Sequence, residues 1–379
     1  MTAYDVGINY WPARTAMRWW TDFSRDEFTR DAKALADAGC ASIRVFLRWE
    51  DFQPDPSRIS SSALHDLTLV ADTCAVYGIG LVPTLFTGHM SGANWLPRWA
   101  TKPGPRGRFR VVSEGAYRDV APRNWFSDDE IASAQALLAR EAAAALRGHP
   151  ALAAWDLGNE NSNVCVPETR EQGRAWLARM TDALRAADPS SRVTIGLHME
   201  DLEQDRRIGP VEAAEVCDFL CMHGYPLYAP WARTTTDPTL PAFLAEVTRW
   251  LGGKDVHFEE FGMPAPSGEE DAQALFIGEA LDLLYECGTT GAMLWCFSDY
   301  APEIWDGPPF DVAPHERFFG LWRADGTAKP AVRHLSRYVG VERKGPRTRE
   351  FAADRATFYD APLANLVRLY EDYSKVAVE

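Results

Sequence analysis

The chain has 379 residues, 46% of them hydrophobic, which suffices for one large buried core or two ordinary ones. Its formal net charge of −15 argues against nucleic acid and against an anionic membrane surface as partners. No stretch approaches the ~20 apolar residues of a membrane span, and the first twenty residues lack a secretory signal pattern, so we expect a cytoplasmic protein.

Short β-branched runs alternate with longer helical patterns along the chain. We predict eight strands, at 3–9, 42–47, 80–86, 152–158, 192–197, 218–224, 255–261 and 291–297. Helical patterns cover 24–39, 128–148, 168–188 and 269–288, and the pairs Ser24/Glu27 and Ser127/Glu130 resemble capping boxes. This alternation implies parallel strands joined by right-handed crossovers. A count of eight favours a closed (β/α)8 TIM barrel over an open sheet, and no glycine-rich nucleotide loop follows the first strand.

The C-terminal part departs from this alternation. Residues 341–357 are highly charged, and apolar side chains then recur at helical spacing from Leu363 to Tyr373. We therefore predict a catalytic barrel over 1–340 and a C-terminal helical extension over 341–379. The extension packs either on the barrel or on a partner subunit, so a homo-oligomer is an open alternative.

In a (β/α)8 barrel, catalytic side chains lie at the C-terminal ends of the strands. Polar and aromatic residues occur at nearly all of these ends in the sequence. They are Arg44, His89, Asn94, Trp95, Asn159, Glu160, His198, Glu200, His223, Tyr225, Glu259, Glu260 and Trp295. Their convergence on one rim predicts the active site.

Glu160 and Glu260 are the candidate catalytic pair, because they lie at the ends of the fourth and seventh predicted strands. Glycoside hydrolysis needs one protonated carboxyl group and one ionised carboxylate. We expect a cation such as Arg44 and a hydroxyl such as that of Tyr225 to hold Glu260 ionised. Glu160 would then cycle between acid and base, while Asn159 is placed to hydrogen-bond a sugar 2-hydroxyl.

The segments "SIRVF", "WDLGNE", "HGYP", "HFEEFG" and "GAMLWCF" together resemble clan A glycoside hydrolases, and most of all family 5. The resemblance covers residues 5–340. It implies that Glu160 is the acid/base and that Glu260, rather than Glu259, is the nucleophile. It also implies substrate-site roles for five residues, Arg44, His89, His223, Tyr225 and Trp295.

Two further segments, "GINYWPARTAMRWW" and "PTLFTGHMSGANWLPRW", are similar to the bacterial exo-β-mannosidase subfamily of family 5. This resemblance implies a retaining enzyme that forms a covalent glycosyl intermediate and acts on small β-mannosides, including the Man-β-1,4-GlcNAc type. The alternatives are an endo-β-1,4-mannanase or β-glucanase of the same family and, more remotely, a non-catalytic carbohydrate-binding barrel. We expect residues 87–127 to close one end of the cleft and convert a groove into a pocket.

Several assignments stay open at this point. His198, Glu200 and Trp95 are substrate contacts or ordinary rim and packing residues, whereas Trp295 is expected to stack on a sugar. Glu259 should alternate to the other face of its strand and form a structural ion pair. The seven cysteines are scattered without a Cys-x-x-Cys pair, and no zinc-binding pattern occurs, so we expect no metal and no cofactor.

Overall fold

Eight parallel strands form the centre of the molecule in the computed structural model, which describes residues 3–347 and 349–376. They are β1 (Asp5–Asn9), β2 (Ser42–Phe46), β3 (Gly80–Thr84), β4 (Trp155–Asn159), β5 (Val193–Gly196), β6 (Leu220–His223), β7 (Val256–Phe261) and β8 (Gly291–Leu294). The sheet order is β5-β4-β3-β2-β1-β8-β7-β6. Its two ends meet where the His223 N–H donates to the Leu197 carbonyl at 2.7 Å. The predicted (β/α)8 barrel is confirmed.

Helices lie between the strands and surround the barrel. They are α1 (Arg25–Asp37), α2 (Ser61–Tyr77), α3 (Asp129–Ala145), α4 (Arg170–Ala187), α5 (Thr239–Gly252), α6 (Glu270–Glu286) and the C-terminal α7 (Pro362–Val376). Shorter helical pieces occupy Trp49–Phe52, Glu200–Glu203 and Pro210–Ala213, and a 3-10 helix spans Pro330–Tyr338 after β8. The crossover from β5 to β6 therefore contains only short helices.

Side chains set the starts of α1 and α3. The Ser24 hydroxyl accepts a hydrogen bond from the Glu27 N–H at 3.3 Å, as its capping pattern predicts. The predicted cap of α3 is wrong by one residue, because Asp128 rather than Ser127 accepts from the Ile131 N–H. Aspartate caps as well as serine does, and its charge also suits the positive end of the helix dipole.

Strands β2, β4 and β7 are buried along their whole length, as expected for parallel strands covered on both faces. These strands nevertheless contain Arg44, Asp156, Glu259 and Glu260. Burying a charge is costly unless it is paired and hydrogen-bonded. The barrel interior must therefore contain a compensated cluster of charges, and that cluster forms the floor of the candidate site.

Two long connections build the C-terminal rim of the barrel. The first, residues 88–122, is called the β3 excursion here and contains a four-stranded sheet made of Gly88–Met90, Ala93–Trp95, Arg110–Ser113 and Ala116–Arg118. The second, residues 295–329, is called the β8 loop and contains the 3-10 helices Pro302–Ile304 and Pro314–Phe318. Both connections rise above the ends of the strands and wall the space over them.

The C-terminal segment packs against its own chain. The Tyr373 hydroxyl donates to Glu246 of α5 at 3.2 Å, and Tyr370 hydrogen-bonds Asp237 just before that helix. The Tyr359 hydroxyl donates to the Asp201 carbonyl at 2.9 Å. The division of the chain at residue 340 and the oligomeric state stay predictions. Across residues 3–347 and 349–376, no helix combines the length and apolar character needed to cross a membrane.

Candidate active site

A cavity of about 360 Å³ opens above the C-terminal ends of the strands, between the β3 excursion and the β8 loop. Nine of the residues predicted from the sequence line it. They are His89, Asn159, Glu160, His198, Glu200, His223, Tyr225, Glu260 and Trp295. The cavity is called the active-site pocket below.

Arg44 lies directly beneath the pocket, and its side chain is fully buried. Its guanidinium group donates to Asp156 at 2.6 Å, to Asn159 at 2.8 Å and to Glu260 at 3.1 Å. A further oxygen, Oε1 of Glu259, lies 3.5 Å from Nε. Burial alone would lower the pKa of Arg44, but Glu259, Asp156 and Glu260 together raise it. One guanidinium therefore compensates three buried carboxyl groups and holds the floor of the site in place.

The replacement Arg44→Ala is expected to lower the free energy of unfolding by about 3–5 kcal/mol, because removing one partner of a buried ion pair leaves uncompensated charges. Urea denaturation of the purified protein measures this loss. The matched control is Arg337→Ala, which removes an exposed pair with Asp282 and should cost only about 0–1 kcal/mol. Equal losses in the two variants would contradict the role assigned to Arg44.

Glu160 follows β4 at the point where the strand turns into a short 3-10 helix at Asn161–Asn163. Its backbone is left-handed, with φ of +49°, which is uncommon for a residue other than glycine. Oε1 lies 3.1 Å from Nδ1 of His223, and Oε2 accepts from the Asn163 amide at 3.1 Å. Burial would raise the pKa of Glu160, but His198, His223 and His89 outweigh it, so the pKa lies below its usual range.

Glu260 lies near the end of β7, across the pocket from Glu160. Its Oε1 accepts from the Tyr225 hydroxyl at 2.5 Å, and its Oε2 accepts from Arg44 at 3.1 Å. A carboxylate oxygen of Glu260 lies within 4.8 Å of one of Glu160. Burial is the main cause that raises the pKa of Glu260 above its usual value, and the nearby charge of Glu160 adds to it.

Glu259 does not alternate to the far face of β7, so that part of the prediction is wrong. From Phe258 to Phe261 the strand advances three residues while β8 advances only from Ala292 to Leu294. Such an extra residue is a β-bulge, and it re-aims side chains next to active sites. Glu259 therefore also reaches Arg44 and lies 3.3 Å from Nε2 of His223. The predicted ion pair is present, but it lies inside the barrel.

His223 connects the buried carboxyl groups to one another. Its Nδ1 faces Glu160 and its Nε2 faces Glu259, at 3.1 and 3.3 Å. Burial would lower the pKa of His223, but Glu260 and the hydrogen bonds to Glu160 and Glu259 raise it to about 10. At neutral pH this imidazole is therefore a cation that donates a proton toward both neighbours.

Glu160, His223 and Glu260 offer ligand atoms within 4.8 Å of one another, a spacing that a metal ion could use. The contacts already present favour another interpretation. Arg44 and Tyr225 donate to the two oxygens of Glu260, and Asn163 donates to Glu160. A metal ion would compete with these donors and with the nearby guanidinium charge. We interpret the cluster as hydrogen-bonded acid groups, and metal independence stays a prediction.

The structure separates the three residues predicted on the β3 excursion. His89 lines the pocket, and Asn94 lies behind it, with its side-chain oxygen 2.8 Å from Nδ1 of His89. Trp95 lies elsewhere: its indole donates to the Met90 carbonyl at 3.2 Å and lines a separate depression. Side chains alternate along a strand, so Trp95 points away from the face shared by His89 and Asn94. The structure therefore does not bring Trp95 to the active-site pocket.

His198 and Glu200 both line the pocket, on the side of Glu160. The Ser162 hydroxyl lies 2.9 Å from Nε2 of His198. Glu200 accepts hydrogen bonds from Arg108 at 2.6 Å and from Arg206 at 2.7 Å. The contact with Arg108 joins the β3 excursion to the short helix Glu200–Glu203, so these residues form part of the pocket wall.

Several pocket residues could not be chosen from the sequence. They are Arg108, Phe109, Asn163, Tyr228, His315 and Glu316. Tyr228 offered the strongest signal, because it comes three residues after Tyr225 in the same connection. The others lie in segments without strand or helix periodicity. In such segments the sequence does not predict which residues reach the rim of the barrel.

No protein-family model and no curated protein sequence matches the chain. Its fold is similar to GH5_18 from Streptomyces cattleya in complex with GlcNAc, with 26% identity, a TM-score of 0.77, and 91% of this chain and 83% of that chain covered. An alanine variant of that protein in complex with Manβ1-4GlcNAc gives 25% identity and a TM-score of 0.81, with 98% and 92% covered. The exo-β-1,4-mannosidase Op5Man5 from Opitutaceae bacterium strain TAV5 gives 26% identity and a TM-score of 0.75, with 89% and 59% covered.

These neighbours confirm the resemblance to glycoside hydrolase family 5 and to its mannosidase-like subfamily. They also confirm that the chain is a glycoside hydrolase.

Proposed function

We propose that this chain, a glycoside hydrolase of the family 5 type, is a retaining exo-β-mannosidase that acts on small β-mannosides such as Manβ1-4GlcNAc. The observation that carries the proposal is the approach of Glu160 and Glu260 to within 4.8 Å across a walled pocket. Retaining enzymes place their carboxyl groups ~5–5.5 Å apart, whereas inverting enzymes leave ~6.5–9.5 Å for a water molecule. The neighbours crystallised with Manβ1-4GlcNAc and the exo-β-1,4-mannosidase support a mannoside as substrate.

The reaction follows a double displacement. A carboxylate oxygen of Glu260 attacks the anomeric carbon while Glu160 gives its proton to the departing glycosidic oxygen, so the C–O bond breaks as the glycosyl ester forms. Glu160 then takes a proton from water, whose oxygen attacks the anomeric carbon and releases Glu260. Two inversions return the sugar with its original β-configuration.

The pKa shifts of the two carboxyl groups run opposite to their proposed roles. The pKa of Glu160 is lowered and that of Glu260 is raised, although Glu160 is the proposed acid. We propose that substrate binding brings a proton to Glu160. The nearest donor is Nδ1 of His223, 3.1 Å from Glu160 Oε1, whose pKa is raised to about 10. His223 is thus proposed to supply the proton that Glu160 transfers.

Asn159 keeps one donor for the sugar. Its oxygen accepts from Arg44 at 2.8 Å, and its amide nitrogen donates to the His89 carbonyl at 2.5 Å. An amide NH₂ carries two hydrogens, so one hydrogen is left to face the pocket that Asn159 lines. This supports the proposed contact with the 2-hydroxyl, which strengthens as positive charge develops at the anomeric carbon.

A panel of 4-nitrophenyl glycosides tests the sugar preference. We expect the β-mannoside to give the highest kcat/KM among the β-mannoside, β-glucoside, β-galactoside and β-xyloside, because the similar protein Op5Man5 is an exo-β-1,4-mannosidase. NMR of the first sugar released should show the β-anomer. An α-anomer as the first product would contradict the covalent role of Glu260.

Product analysis separates exo from endo action. Arg108, which pairs with Glu200, lines the pocket together with Tyr228 and Glu316, and we propose that these residues close it to a long chain. On a ladder of reduced manno-oligosaccharides we expect mannose as the first product, released from the non-reducing end. Early release of oligosaccharides from the middle of the chain would favour the alternative, an endo-β-1,4-mannanase or β-glucanase.

A non-catalytic carbohydrate-binding barrel is the second alternative. It is disfavoured because both carboxylates and their partners Arg44, Tyr225 and His223 are in place. Calorimetry that showed tight sugar binding without hydrolysis would favour it. The cytoplasmic location stays a prediction of the sequence.

A further inference from the structure

We infer that Glu316 of the β8 loop binds the hydroxyl groups of the terminal sugar and thereby selects the glycone. This inference rests on the proposed function. The ligand class is a neutral hexopyranoside whose hydroxyls, on the side away from the cleaved bond, donate to a carboxylate.

Glu316 belongs to the 3-10 helix Pro314–Phe318 and lines the active-site pocket although its side chain is only 8% exposed. Its Oε1 accepts from the Tyr228 hydroxyl at 2.8 Å and lies 3.5 Å from Nε2 of His315. A carboxylate offers about four lone-pair sites, so acceptor capacity remains beyond the contact with Tyr228. Sugar hydroxyls are suitable donors for it.

The electrostatics of Glu316 argue against a merely structural role. Burial raises its pKa, while His315, Tyr228, Ser91 and Trp295 each counteract that rise. Within residues 3–347 and 349–376, no lysine or arginine lies in salt-bridge range of it, and its one ion-pair contact is the half-exposed His315. A buried carboxylate without a cation is costly to the fold. Binding donors from a ligand would offset that cost.

The position of Glu316 matches the glycone side of the pocket. In a retaining β-glycosidase the acid lies beside the departing oxygen, so Glu160 and its neighbour His198 mark the leaving-group side. Glu316 lies instead beside Trp295, the aromatic residue at the end of β8. An aromatic face and a carboxylate together match the two surfaces of a sugar ring, its apolar C–H face and its hydroxyl edge.

The same contact would exclude longer chains. A hydroxyl that carries another sugar has no hydrogen to donate, and the added sugar would meet the β8 loop. Glu316 therefore accounts for both glycone selection and release of single sugars from the non-reducing end.

The test combines substrate and protein changes. The 3-deoxy, 4-deoxy and 6-deoxy forms of 4-nitrophenyl β-mannoside are assayed with the natural protein and with Glu316→Gln. A hydrogen bond to a charged group contributes enough that its loss should lower kcat/KM ~10–100-fold. We expect at least one deoxy substrate to show this loss with the natural protein. In Glu316→Gln, the same deoxy substrate and the parent β-mannoside should have equal kcat/KM. The control is Glu303→Gln, an exposed residue of the same loop outside the pocket, which should keep the full deoxy penalty.

Each outcome decides one question. If all three deoxy penalties persist unchanged in Glu316→Gln, the inference is overturned. If the natural protein does not cleave the β-mannoside, the proposed substrate is wrong, and the same deoxy series on the glycoside it does cleave still tests Glu316. If Glu316→Gln unfolds, Glu316→Asp keeps the charge but shortens the reach, and it should show a reduced deoxy penalty; an unchanged penalty overturns the inference.

Discussion

The replacement Glu260→Ala is expected to abolish turnover, lowering kcat/KM on the order of 10⁴- to 10⁶-fold, as removal of a covalent nucleophile does in other hydrolases. Without Glu260 there is no atom to form the proposed glycosyl ester, and Arg44 and Tyr225 lose the acceptor they share. Steady-state kinetics with 4-nitrophenyl β-mannoside measure the loss. The control is Glu279→Ala, an exposed residue of α6, which should retain full activity.

Added azide tests whether Glu260 acts as nucleophile rather than as a structural carboxylate. In Glu260→Ala, azide can enter the vacated space and attack the anomeric carbon in one step, while Glu160 protonates the leaving group. We expect an α-mannosyl azide by NMR. Recovery of that product in Glu259→Ala instead would show that the nucleophile is the neighbouring glutamate, which the bulge in β7 also turns inward.

The replacement Glu160→Ala is expected to lower kcat/KM for Manβ1-4GlcNAc by ~10²- to 10⁴-fold, the usual contribution of a general acid. A dinitrophenyl β-mannoside needs little protonation of its leaving group, so its glycosylation step should be affected much less. The difference between these two substrates isolates proton donation from binding. Equal losses on both would contradict the acid role of Glu160.

The pH profile of the natural protein adds a second measure of the same role. We propose that Glu160 receives the proton it transfers from His223, which lies 3.1 Å away and whose pKa is raised to about 10. A group with a raised pKa keeps its proton at neutral pH and loses it as the pH rises through that value. We therefore expect an alkaline fall in kcat/KM, which Glu160→Ala should lack. Azide should yield a β-mannosyl azide in this variant, because it attacks the glycosyl intermediate that Glu260 still forms.

The sequence predicted the barrel because strand and helix periodicities are local properties. Each of the eight strands was placed, and the ends of these strands lead to Arg44, Glu160, His223 and Glu260. The residues of the proposed catalytic rim could therefore be identified from their positions at the ends of predicted strands. Strand alternation does not predict the bulge that turns Glu259 inward, and it left open the position of Trp95, which lines a separate depression.

The walls of the pocket were not predictable in the same way. Glu316 and Arg108 lie in irregular connections, and each reaches the pocket only through tertiary contacts with Tyr228 and Glu200. No spacing in the sequence records such contacts. The proposed reaction thus rests on residues at the strand ends, whereas the proposed choice of substrate rests on loops that only the structure locates.

The left-handed backbone at Glu160 is a strained feature within the proposed active site. A side chain in this conformation costs about 1–2 kcal/mol relative to a relaxed one, and glycine is the residue that avoids the cost. A Glu160→Gly protein would avoid that strain but would lose the contacts of the carboxylate with His223 and Asn163, and glycine would also gain freedom in the unfolded chain. A strained backbone of this kind is typical of functional sites, which agrees with the acid/base role proposed for Glu160. Because it would lack the proposed acid/base, we expect the glycine form to bind disaccharides without cleaving them.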